Sequence, residues 1–164
     1  MRLKQLIVLS AVLFALTLPA FAESDIEYRG WGFRVGASSD PDQVVGGVQF
    51  DFGEFTENLR FQPDLQVGFG DDVTTIFATL PVHYRFNVDQ DFTPYAGGGL
   101  AVGFVEIDLP PMSSGDDTSF EIGGRAVGGL EWNRSNGRSF ALELGIGLGD
   151  VPDAQVVAIW NFGK

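Results

Sequence analysis

The chain has 164 residues, a formal net charge of −12, no cysteine, 22 glycines and 15 phenylalanines. Ten basic residues against 22 acidic ones leave no basic footprint, which excludes nucleic acid as an expected partner. Without cysteine the chain forms no disulfide and offers no thiolate, and its glycine and aromatic content favours strands over helices.

The first 22 residues have the organisation of a secretory signal. Arg2 and Lys4 precede the apolar run LIVLSAVLFALTL, and small residues follow at the end of the segment. The run of about 13 residues is shorter than the roughly 20 that a membrane-spanning helix needs. We therefore expect a cleaved signal peptide at 1–22 and one domain at 23–164.

The rest of the sequence alternates apolar and polar residues between turn signals, which indicates β-strands. The predicted strands span 28–38, 43–53, 59–70, 73–87, 93–105, 119–133, 138–148 and 154–162. Short polar turns lie at 53–58, 88–92 and 134–138, the last with the hairpin pair Asn136-Gly137. The segment 107–119, rich in Pro, Ser, Gly and Asp, is the one long loop.

The strands have two unlike faces. One face is bulky and apolar, as at Phe140, Leu142 and Leu144, and the other combines glycine with polar groups. An eight-stranded barrel has an interior just wide enough for side chains. Small and charged groups suit that interior, and the apolar face suits lipid. The sequence predicts an all-β fold: an eight-stranded antiparallel up-and-down transmembrane β-barrel.

The charged residues of the inner face are expected to form a polar network in the lumen. Its predicted members are Arg34, Asp51, Arg60, Asp64, His83, Arg85, Glu121, Arg125, Glu131 and Glu143.

Aromatic residues are expected near both membrane interfaces. The set predicted for the turn end is Tyr28, Trp31, Phe52, Phe61, Tyr84, Phe86, Tyr95, Trp132, Phe140, Trp160 and Phe162, with Phe69, Phe104 and Phe120 at the other end.

Catalytic and metal chemistry find little support. His83 is the only histidine and belongs to the inner face, so we expect a hydrogen-bonded lumen residue rather than a catalytic base. One histidine without cysteine cannot supply a zinc site, so no metal and no cofactor are predicted. Aspartates in the outer loops leave bridging of divalent cations to lipopolysaccharide open, against simple solvated loops.

The segments LPVHYRF at 80–86 and PYAGGGLAVG at 94–103, with the terminal residues Val156, Ala158, Trp160 and Phe162, resemble the small outer-membrane β-barrels of Gram-negative bacteria. That family includes the OmpA membrane domain, OmpX, OmpW and the opacity-type porin-family proteins. The resemblance implies that the terminal residues are a signal for the barrel-assembly machinery, although Gly163 and Lys164 follow the last aromatic. The His-x-Ser spacing of the family's deacylase is absent, since Tyr84 and Arg85 follow His83.

The sequence thus predicts a monomeric, non-enzymatic protein of the cell outer membrane. Its expected partners are outer-membrane lipid, lipopolysaccharide and the barrel-assembly machinery, and its expected role is structural, in envelope integrity or surface interaction. Two alternatives remain open: a narrow channel for ions or small solutes, and a secreted soluble lipocalin-like binding barrel. Fold alone does not separate these roles.

Overall fold

The structure, a computed structural model, describes residues 25–107, 118–134 and 137–163. The predicted signal peptide and most of the predicted long loop lie outside these residues. The strands are β1 (Asp25–Ser39), β2 (Gln43–Thr56), β3 (Leu59–Phe61), β4 (Asp64–Gly70), β5 (Val73–Arg85), β6 (Thr93–Ile107), β7 (Thr118–Asn133), β8 (Arg138–Gly149) and β9 (Ala154–Gly163). Within the described ranges, no helix is long and apolar enough to cross a membrane.

The strands form a closed antiparallel ring. β1 pairs with β2 on one side and with β9 on the other, where Gly30 lies opposite Gly163 and Ser39 opposite Ala154. β3 and β4 both pair with β2 and β5, so together they occupy one position in the ring. The fold prediction of an eight-stranded up-and-down barrel is therefore confirmed.

The structure differs from the sequence prediction in the third strand, which is interrupted at Gln62 and Pro63. Proline has no backbone N–H and cannot donate to a ladder. The Pro63 carbonyl still accepts a hydrogen bond of 2.9 Å from the Phe50 N–H, and Gln62 donates to the Pro81 carbonyl at 3.4 Å. The interruption is an irregularity within a continuous wall, accompanied by a register shift between β2 and β3.

The outer surface of the ring is apolar and the interior is polar. Val44, Leu144 and Phe69 on the outside are 65%, 63% and 62% exposed, whereas Arg34 and Glu143 inside are 2% and 3% exposed. This is the reverse of a water-soluble domain, in which charged side chains are rarely buried. The two faces predicted from alternation are the two faces that the structure has.

Aromatic rings line the outer surface near the turn end. Trp132 contacts Phe140 with ring centroids 5.9 Å apart, Phe140 contacts Trp160 at 5.2 Å, and Trp160 stacks on Phe33 at 4.8 Å. This series runs from β7 through β8 and β9 to β1. It therefore crosses the seam where the ring closes.

Tyr95 is an exception to the predicted aromatic set. Its side chain is only 7% exposed and lies inside the barrel. Assigning Tyr95 to the outer surface was wrong, because its strand has small residues on both faces, including Ala96 and Gly97, and so shows little contrast between them.

The connections divide between the two ends of the barrel. The turns at 57–58 and 86–92 share one end, the turn end, with Asp25, Arg134, Gly137 and Gly163, while 40–42, 71–72 and 150–153 lie at the other, the loop end. The described loop-end connections are as short as the turns. Asp40 and Asp72 adopt positive φ values of 47° and 60°, a conformation that aspartate tolerates better than most residues.

Candidate functional site

The middle of the lumen is crossed by a buried charged cluster of Arg34, Asp64, Tyr95 and Glu143, here called the central cluster. Arg34 Nη1 lies 3.0 Å from Asp64 Oδ2, and Arg34 Nη2 lies 2.6 Å from Glu143 Oε1. The Tyr95 hydroxyl donates to Glu143 Oε2 at 2.9 Å. Four separate strands, β1, β4, β6 and β8, supply these side chains, so the cluster connects opposite walls of the barrel.

Buried amides extend the central cluster. Gln66 donates to Asp64 Oδ1 at 2.5 Å and accepts from Gln155 at 2.8 Å. Gln49 accepts from Arg34 Nη1 at 3.3 Å and donates to Asn161 Oδ1 at 2.7 Å. The sequence predicts polar groups on the inner face, but the predicted network contained no amides. The signal for them was the same alternation that identified the charged residues.

A second group, the turn-end cluster, consists of Asp51, Arg60, Arg85 and Glu131. Arg60 Nη2 lies 2.5 Å from Asp51 Oδ2, and Arg60 Nη1 lies 2.9 Å from Glu131 Oε2. Arg85 is held more loosely, at 3.9 Å from Glu131 and 3.6 Å from Glu54. The Ser139 hydroxyl also donates to Glu131. Arg60 is thus shared between two carboxylates.

Three predicted members of the network, Arg125, Glu121 and His83, are not brought into these clusters. Arg125 is only 4% exposed, yet among the described residues it has no ion pair and its Nη1 has no hydrogen-bond partner. Glu121 faces a cavity at the loop end, and it too has no ion pair within the described part of the chain. Arg125 and Glu121 both lie on β7, four positions and about 13 Å apart along the strand, and no ion pair joins them.

His83 lies in the lumen wall at 4% exposure, as its register predicts. Its Nδ1 is 3.4 Å from Gln62 Oε1, and its ring lies 5.1 Å from that of Tyr95. Among the described residues no serine and no carboxylate hydrogen-bonds to the imidazole, and its Nε2 has no partner. The geometry is that of a packed interior residue rather than of a base aligned with a nucleophile.

Two cavities flank the clusters. One, of about 170 Å³, opens at the turn end, and the other, of about 300 Å³, opens at the loop end. Between them the lumen is filled, since Thr79 and Ala101 have no exposed surface and Val157 and Ile159 are 2% exposed. The interior is therefore a packed plug of polar and apolar side chains with a vestibule on each side.

No group of three or more His, Cys, Asp or Glu residues within the described ranges is arranged to hold a metal ion. The predicted loop aspartates at 108, 116 and 117 lie outside those ranges.

The predicted assembly-signal residues Val156, Ala158, Trp160 and Phe162 project from the outer face of β9. They lie opposite Ala37, Val35, Phe33 and Trp31 of β1, respectively. The residues of the predicted assembly signal therefore also belong to the β1–β9 pairing that closes the ring.

No protein-family model matches the sequence, and no curated protein matches it. Solved structures of similar fold include the N-terminal β-barrel domain of Pseudomonas aeruginosa OprF, with a TM-score of 0.66 and 13% identity over 84% of this chain and 98% of that chain. Neisserial surface protein A gives 0.56 and 15% over 82% and 92%, and the outer membrane enzyme PagL gives 0.51 and 15% over 82% and 99%. The chain therefore has the fold of the small eight-stranded outer-membrane barrels.

Proposed function

We propose that this protein is a non-enzymatic, integral barrel of the outer membrane that contributes to envelope structure. The observation that carries the proposal is the combination of an apolar outer wall with a lumen closed by buried ion pairs. In hydrocarbon a closed ring satisfies all backbone hydrogen bonds, while the wall contacts lipid chains. A lumen filled in this way is suited to holding the barrel rigid.

The soluble binding barrel is the weaker alternative. A lipocalin-like protein would need its apolar side chains inside, around a ligand cavity. Here Phe69, Leu144 and Ile146 are more than 60% exposed on the outside, and the interior contains buried arginines and carboxylates. In water such a wall would be an aggregation surface.

Membrane insertion is tested by separating inner and outer membranes of cells that express the full chain. We expect the mature chain in the outer-membrane fraction, with faster electrophoretic migration before heating than after it. Recovery as a soluble protein without detergent would contradict the proposal.

The absence of catalysis is proposed because the only histidine is packed against Tyr95 and has no nucleophile within hydrogen-bonding distance among the described residues. PagL, which shares the fold, is an outer membrane enzyme. Because lipid surrounds the wall of a membrane barrel, the test looks for chemical change in the membrane lipid. Mass spectrometry of lipid A from cells with and without the protein is expected to give identical acylation patterns. A difference that His83→Ala abolishes would instead establish an enzyme.

A narrow channel is the second candidate. The two vestibules lie on opposite sides of the plug, and Arg125 is buried in the lumen without an ion pair among the described residues. If the plug rearranges, planar bilayers containing the purified barrel will show discrete conductance steps, and Arg125→Gln will change their size. A bilayer that stays silent with correctly folded barrel would exclude conduction.

The expected partners follow from the same proposal. The outer-membrane lipid surrounds the wall, lipopolysaccharide meets the loop end, and the barrel-assembly machinery recognises β9. We propose that the protein is a monomer. Light scattering in detergent, which measures the mass of the particle, tests this.

Replacing Phe162 with alanine is expected to slow outer-membrane assembly in cells. The same change at Phe69, which lies outside β9, is the control.

A further inference from the structure

The cavity at the turn end is lined by an unusual concentration of arginine. Four arginines reach it, against two carboxylates, and these six charged residues are Asp51, Arg60, Arg85, Glu131, Arg134 and Arg138. The described part of the chain contains seven arginines and no lysine. More than half of its cationic groups therefore surround one cavity, in a protein whose net charge is −12.

The cavity at the loop end has the opposite character. Its charged lining consists of Asp40, Glu121, Asp150 and Asp153, with no cation among the described residues. The two vestibules of the lumen thus carry charge of opposite sign. The surplus of arginine at the turn end is a local feature, not a consequence of composition.

The arginines at the turn end differ in how far their charge is already neutralised. Arg60 is bound to both carboxylates of the cavity at 2.5 and 2.9 Å. Arg85 approaches carboxylates only at 3.6 and 3.9 Å, and its Nε is buried without a hydrogen-bond partner in the described structure. Arg134 and Arg138 have no ion pair there, although Arg138 lies 5.9 Å above the Phe162 ring.

The positions of Arg134 and Arg138 are set by the hairpin between β7 and β8. The Arg134 N–H donates to the Arg138 carbonyl at 2.8 Å, and Gly137 adopts a φ of 68° at the turn. The backbone therefore holds the two arginines opposite each other on the cavity rim. A guanidinium presents its donors in a planar fork that matches the oxygens of carboxylate and phosphate.

We propose that the turn-end cavity binds a small oxyanion, a phosphate or a carboxylate, through Arg85, Arg134 and Arg138. The volume of about 170 Å³ corresponds to roughly six water molecules of liquid volume, which suits a compact anion and excludes a polymer. Ser139 and Asn161 in the lining provide neutral polar groups beside the arginines. The ligand class is defined by the anionic group, whichever molecule carries it.

The test is calorimetric titration of the refolded mature barrel in detergent micelles at low ionic strength, with inorganic phosphate in one arm and succinate in the other. We expect saturable binding at one site, weakened by added sodium chloride. Arg134→Gln and Arg138→Gln should each reduce the affinity at least about fivefold, as expected for losing a hydrogen bond between a charged donor and a charged ligand. Arg138→Lys should retain part of the binding.

The matched control is Arg29→Gln, which removes the same charge at the same end from a residue that does not line the cavity. The affinity of this variant for the anion should stay within about twofold of that of the unaltered protein. Unchanged heat-modifiable migration shows in each case that the variant folds. If only phosphate binds, or only succinate, the result shows which of the two anionic groups the cavity takes. No saturable heat in either arm, or an Arg29 variant weakened as much as the Arg138 variant, would overturn the proposal.

Discussion

Arg34 is the cation on which the central cluster depends, so its replacement by methionine is an informative perturbation. Methionine is also long and unbranched, but it leaves the carboxylates of Asp64 and Glu143, each no more than 2% exposed, without their arginine. Removing one partner of a buried ion pair costs about 3–5 kcal/mol, because the remaining charge is neither hydrated nor paired. We expect Arg34→Met to lower the free energy of unfolding by about that amount.

The assay is urea unfolding of the barrel in detergent micelles, followed by tryptophan fluorescence and heat-modifiable migration. The double variant Arg34→Met/Glu143→Gln removes one charge of each sign and leaves Asp64 within the electrostatic influence of Arg125, so it should recover part of the loss. Arg138→Met, an exposed change at the start of β8, is the control and should cost less than about 0.5 kcal/mol. A loss below about 1 kcal/mol for the single variant, or a double variant less stable than the single one, would refute the reasoning.

Three further outcomes are expected from the same unfolding assay. Gly97→Ala places a Cβ against a carbonyl of the paired strand β5 and should cost about 1–3 kcal/mol, whereas Gly46→Ala, with open space around the added atom, should be nearly neutral. Tyr95→Phe removes a 2.9 Å hydrogen bond to a buried carboxylate and should cost about 1–3 kcal/mol, while Tyr84→Phe on the exposed wall should cost little. In liposomes, Leu144→Arg should cost about 2–4 kcal/mol if that wall meets the lipid core, and close to nothing if it meets water.

Much of the fold follows from the sequence because the period of two is strong where one face is bulky. In β8, Phe140, Leu142 and Leu144 alternate with Ala141 and Glu143, and this contrast alone assigns each residue to a face. Closure of the ring then follows from eight such segments joined by turns. The register between neighbouring strands and the curvature of the sheet are set by how the backbones pair.

The details that the sequence missed are those that depend on height within the barrel. Arg34 and Glu143 are 109 positions apart, and whether they meet depends on the stagger between strands, which alternation does not encode. Arg125 and Glu121 share a face and have opposite charge, yet they stand at different heights on one strand. Tyr95 was misplaced because glycine and alanine give its strand two similar faces.

The pairing of β1 with β9 has a consequence for how the barrel is made. Gly30 finds its partner only when Gly163, near the other end of the chain, is present and aligned. Until that contact forms, the sheet has two free edges able to pair with other chains. A contact so distant in sequence is slow to form. We expect folding to be limited by this final alignment, and the half-formed sheet to be the species most in need of protection from aggregation.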